Sequence, residues 1–86
     1  MPELCRFYGI VIKMYFDDHV PPHFHAEYGE YNASIDIDTL SIFSGRLPPR
    51  ARGLVVEWAS LHQTELRARW KRAKSNKPIG KMEPLP

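Results

Sequence analysis

The segment Asn32 to Asp38, N-A-S-I-D-I-D, sets Ala33, Ile35 and Ile37 against Ser34, Asp36 and Asp38 in strict alternation. A period of two belongs to a β-strand with one dry and one wet face, so this chain must build a sheet and cover one side of it. The cover has one obvious source. From Pro49 to about Ser75 there is no internal proline, and helix formers dominate. Ala51, Val55, Trp58, His62, Leu66 and Ala73 fall at steps compatible with one helical face, with Leu54 and Trp70 beside them. Gly53 is a mild flaw, costing ~1 kcal/mol relative to alanine.

Upstream, Phe7 to Phe16 is β-branched and aromatic and reads as a first strand, with Gly9 as a bulge. The D-D-H-V-P-P segment follows as a stiff turn, because both prolines fix φ. His23 to Tyr28 suits a second strand and Tyr28-Gly29-Glu30-Tyr31 a hairpin turn. Leu40 to Phe43 is a short fourth strand or a bridge, and Ser44 to Pro49 a loop. The tail from Asn76 to Pro86 carries three prolines and a glycine and is expected to be irregular. The expected architecture is α+β: a small antiparallel sheet of three to four strands, with one long C-terminal helix packed across one face. Residues 1–86 form a single domain on this reading. The helix would run ~40 Å against ~20 Å for a strand, so its basic end should overhang the sheet.

With 43% apolar residues and ten aromatics, the chain can fill a core. No apolar run approaches the ~20 residues of a membrane span, no signal peptide opens the chain, and the single Cys5 has no disulfide partner. A cytoplasmic location without membrane contact is therefore expected. Charge is uneven: up to Gly45 two basic residues face seven acids, whereas from Arg46 onward ten face three. Either a partner of opposite sign or the chain's own acidic half answers that imbalance.

The chemistry-bearing segment is D-H-V-P-P-H-F-H, Asp18 to His25, which holds three of the four histidines. Period two puts His23, His25 and Glu27 on one strand face, with His19 and Asp18 across the turn. Three chemistries fit. Imidazoles with a carboxylate bind zinc or another divalent ion, with His19, His23, His25 and Asp18 as ligands. Alternatively, His19, His23 and His25 act as acid and base near neutrality with no cofactor, the basis for a metal-independent ribonuclease-like activity. Finally, the histidines only hold the turn. His62 lies mid-stripe on the helix and is first a core residue, and secondly a further catalytic member. The run R-A-R-W-K-R-A-K can grip phosphates through Arg67, Arg69, Lys71, Arg72 and Lys74 while Trp70 stacks on a base; equally, it is a solvated helix end that suits the macrodipole.

The chain resembles domain-of-unknown-function family 4160 of bacteria, through M-Y-F-D-D-H-V-P-P-H-F-H-A-E-Y-G, I-D-I-D-T-L, G-R-L-P-P-R-A and E-W-A-S-L-H-Q-T-E-L. The resemblance implies a toxin–antitoxin-like gene pair, hence a neighbouring small antitoxin-like protein as partner and, more remotely, RNA. It marks Asp18, His19, Pro21, Pro22, His23, His25, Tyr28, Gly29, Trp58, His62 and Glu65 as important, without roles. A homodimer is also expected, because a small sheet leaves an open edge.

Overall fold

Tyr8 and Gly9 both take positive φ, 50° and 80°, and turn the chain back on itself. The computed structural model, which describes residues 3–16 and 18–86, therefore replaces the expected first strand with two. These are β1 (Glu3–Phe7) and β2 (Ile10–Lys13), antiparallel with Phe7 opposite Ile10. Gly9 is a hairpin turn residue and not a bulge. Asp17, part of the stiff turn expected next, lies outside the described residues.

His23–Tyr28 forms β3 and Tyr31–Asp36 forms β4, joined through Gly29, whose φ of 57° suits the tight turn. The next strand, β5 (Ile42–Arg46), runs into the segment expected to be a loop. Gly45 lies in that strand because a Cβ there would stand 2.2 Å from the Asn32 carbonyl oxygen. The sheet order is β1-β2-β3-β4-β5 with every neighbouring pair antiparallel. Among the described residues five strands, not three or four, make this meander.

The single long helix is also corrected. Helix α1 (Pro49–Leu61) and helix α2 (Gln63–Lys74) meet at His62, whose φ of −125° and ψ of 20° leave helical geometry. The break redirects α2 along the sheet end. Gln63 Nε2 donates to the Ile37 and Asp38 carbonyls at 2.8 and 3.0 Å, Arg67 pairs with Asp38 at 2.8 Å, and Lys74 Nζ donates to the Asp18 carbonyl at 2.9 Å. The basic end does not overhang: Arg67 pairs with a carboxylate and Lys74 with a carbonyl of the turn before β3, while Gln63 at the start of α2 satisfies two carbonyls beyond β4. Part of the charge imbalance is thus answered within the molecule. No helix among the described residues is long and apolar enough to cross a membrane.

The core forms where α1 meets one sheet face. Val55 and Trp58 are fully buried, with Ile10, Ile12, Phe24, Ala26 and Ile35 among their core companions. The Trp58 ring lies 5.7 Å from Phe7 and 5.8 Å from Phe24. The tail after Lys74 has neither helix nor strand, as expected, yet it buries Ile79, Met82 and Leu85. The Met82 N–H donates to the Leu4 carbonyl at 2.9 Å, so the tail lies along β1.

Candidate functional site

Strand alternation aims Phe24 and Ala26 into the core and leaves His23 and His25 on the other face. Across the turn, Asp18 folds back over that face. Its Oδ1 accepts the His19 N–H at 2.8 Å, while its Oδ2 stands 3.0 Å from His25 Nε2 and 3.0 Å from His23 Nε2. Two imidazoles therefore share one carboxylate oxygen.

The far side of each ring is held as well. His23 Nδ1 lies 2.6 Å from the Pro21 carbonyl oxygen, which can only accept, so Nδ1 carries the proton. His25 Nδ1 lies 3.3 Å from Ser34 Oγ, a hydroxyl able to donate or accept. His23 thus has a fixed tautomer, and His25 does not. The His23 ring is 5% exposed, packed edge-on against Phe43 and tilted against Trp70, each at 5.2 Å. The Tyr15 ring meets His25 at 4.5 Å. The peptide bond before Pro21 is cis, and the Pro22 carbonyl accepts the Ile37 N–H at 3.0 Å, which ties the turn to the end of β4.

Partial burial pushes the Asp18 carboxyl up, but the His25 hydrogen bond, the His19 N–H and the charge of the two imidazoles outweigh it and hold the group below its ordinary value. A depressed folded pKa contributes stability that is present above the unfolded pKa, ~3.9, and lost as pH falls through the folded value. In chelator-treated protein, the stability gap between the parent and Asp18→Asn should therefore narrow from pH 5 to pH 2. Urea midpoints measured across that range test this; a gap of constant width would contradict the assignment.

The structure brings together Asp18, His23 and His25, whose candidate ligand atoms all lie within 4.8 Å of one another. It does not bring in the other expected members. The His19 side chain is exposed, and only its backbone N–H reaches the cluster. His62 sits at the helix break, 3.3 Å from Glu65 Oε1 with its ring 5.2 Å from Trp58. Its polar partner is Glu65, which also pairs with Arg69 at 2.9 Å. Cys5 is buried in β1, outside this group, and burial pushes its thiol up to about 12.

The expected nucleic-acid residues are largely occupied with the fold. Arg67 pairs with Asp38, Arg69 and Arg72 both donate to the Ile79 carbonyl, and Lys74 donates to the Asp18 carbonyl. Lys71 is exposed. Trp70, expected to stack on a base, is instead 7% exposed, with its ring against His23. The large indole surface gains more from burial there than it would in water.

Sequence reasoning missed Ser34, Tyr15 and Phe43 as neighbours of the cluster. Ser34 was within reach: counting outward from the Tyr28–Tyr31 pair sets His25 opposite Ser34. Phe43 lay within the expected fourth strand, but its contact with His23 depends on the irregular register of β5 against β4.

No curated protein and no solved structure matches this chain. A family model described as a domain of unknown function, DUF4160, matches residues 9–71, which take in β2 through most of α2 and all three clustered side chains. The chain belongs to the DUF4160 family.

Proposed function

We propose that this chain is a divalent-cation-binding protein with Asp18, His23 and His25 as its protein ligands. One observation carries the reading: both Nε2 atoms stand 3.0 Å from a single carboxylate oxygen while both Nδ1 atoms face other partners. With Nδ1 of His23 protonated, the Nε2 of a neutral ring presents a lone pair to a carboxylate. Either a cation between them or a second proton on His23 removes that repulsion. Ligands ~2.0–2.2 Å from a tetrahedral zinc lie roughly 3.3–3.6 Å apart, so a few tenths of an ångström of spreading would admit the ion. A carbonyl or hydroxyl behind each metal-bound imidazole is also the usual orienting arrangement. Zinc suits two imidazoles and a carboxylate, and three protein ligands leave a coordination position for water or a substrate.

Equilibrium dialysis against zinc, cobalt and manganese tests this. Near-stoichiometric binding of one of them is expected. His23→Ala and His25→Ala should each lose most of the affinity, and Ser34→Ala should lose about 10–100-fold through the supporting contact. Parent protein that binds none of the three ions at micromolar concentration overturns the reading in favour of a proton-linked histidine pair, for which acid–base chemistry would remain.

A second reading keeps the toxin–antitoxin-like role in the cytoplasm, with an antitoxin-like partner protein, RNA as a further target and a homodimer through the edge of β5. It is supported by exposed apolar side chains beside the cluster: Phe16 and Val20 flank Asp18 in the chain and Phe43 packs on His23, at 45%, 76% and 49% exposure. A protein partner covering the site would bury all three.

A further inference from the structure

The strand that begins at His23 ends at Tyr28, ~17 Å away at 3.3–3.4 Å per residue and on the opposite sheet face. There, between the sheet and α1, lies a cavity of about 350 Å³ whose walls include Tyr8, Tyr28, Arg50, Leu54, Glu57 and Leu85. That volume falls in the range, ~300–1,000 Å³, of sites for small molecules. It is remote from the proposed cation ligands and shares no residue with them.

Three features define what would fit. Tyr8 and Tyr28 both line the cavity and are 60% and 38% exposed, so part of each phenol is open to a ligand. Tyr8 is held in place by its O–H donating to the Pro86 carbonyl at 2.6 Å and by a backbone φ of 50°, which aromatic residues rarely adopt. Arg50, Leu54 and Glu57 follow the i, i+4, i+7 stripe of α1. The cation and the anion are thus two turns apart, ~10 Å along the axis, with an apolar residue between them. Neither charge has a hydrogen-bonding or ionic partner among the described residues.

A zwitterion such as an amino acid carries its two charges on one carbon and is too short to use both. A nucleotide has the required length. Its phosphate matches the guanidinium fork, its base stacks on a phenol face, and the far edge of the base reaches the carboxylate. Among the bases, guanine presents two adjacent N–H donors on that edge, N1–H and the N2 amino group, to a two-oxygen acceptor. Adenine presents one amino donor beside a lone pair at N1, so it satisfies one carboxylate oxygen and sets a lone pair against the other. We propose that this cavity binds a guanine nucleotide, either as the free monophosphate or as an unpaired guanosine of RNA.

Titration of the full chain with guanosine monophosphate, followed by amide NMR shifts and calorimetry, tests the proposal. Shifts should centre on Tyr8, Tyr28 and the first two turns of α1, and affinity should exceed that for adenosine monophosphate by about tenfold. Arg50→Ala should weaken the monophosphate and leave guanosine unchanged. Glu57→Gln should remove most of the preference over adenosine monophosphate. His23→Ala should leave all of these values unchanged, which keeps the test independent of the cation site. Competition by a short single strand with an unpaired guanosine assigns the RNA source, and failure of that strand to compete assigns the free nucleotide. Equal affinity for the two monophosphates, or no shift at millimolar concentration, overturns the proposal.

Discussion

Trp58→Ala should lower the free energy of unfolding by ~3–5 kcal/mol, the cost of emptying a fully buried indole site. Trp58 has no exposed surface, its ring sits within 6 Å of Phe7, Phe24 and His62, and its Nε1–H donates to the Glu83 carbonyl at 2.8 Å. It therefore joins α1, the sheet and the tail at one point. Trp58→Phe separates the contributions: most apolar contact survives, the hydrogen bond goes, and a loss of ~1 kcal/mol is expected. Urea unfolding of both variants measures the difference. A loss below about 1 kcal/mol for the alanine variant would place Trp58 outside the shared core.

Position Trp58 was legible from periodicity because a helix face needs only local spacing to be seen. The same holds for β3, whose bounds His23 and Tyr28 match the expectation because Pro22 and Gly29 punctuate both ends. The misses share a different cause. Tyr8 and Gly9 interrupt an apolar run in which tyrosine is not a turn-forming residue, so the hairpin shows only in the backbone. Gly45 suggests a loop, yet it is required by the close Asn32 carbonyl on the neighbouring strand. The helix break at His62 has no glycine or proline to announce it. It is held by Gln63 reaching the Ile37 and Asp38 carbonyls, a contact more than twenty residues away in sequence.

That break decides how much of the site could be read. Alternation in a strand places His23 and His25 on one face without any knowledge of the fold, and Asp18 follows because the stiff turn returns it to them. Trp70 and Lys74 reach the cluster only once α2 has turned at His62. A straight helix would have carried both into solvent, where an aromatic among cations reads as a nucleic-acid grip. The bend converts that pattern into a wall for His23.

The tail carries the other large effect. Removal of residues 78–86 should lower stability by roughly 5 kcal/mol or more, since each buried Ile, Leu or Met side chain alone is worth ~2–5 kcal/mol when cut to alanine. The deleted segment includes Ile79, Met82 and Leu85, all buried, and the carbonyls that meet Trp58, Arg69 and Tyr8. A loss of that size consumes most of the stability of a small domain, ~5–15 kcal/mol, so the truncated chain should lose its cooperative thermal transition. Met82→Ala provides a measurable step on the same path, at ~2–5 kcal/mol. Both β1 and the tail fall outside the matched residues 9–71, yet they bond to each other through Leu4 and Met82. Their side chains also share one buried core, so they should behave as one unit: Leu4→Ala and Met82→Ala combined should cost less than the sum of the two alone, by ~0.5 kcal/mol or more. Strict additivity in that double-mutant cycle, or a truncated chain that unfolds at the parent's urea midpoint, would show that the strand and the tail stabilise the sheet separately or not at all.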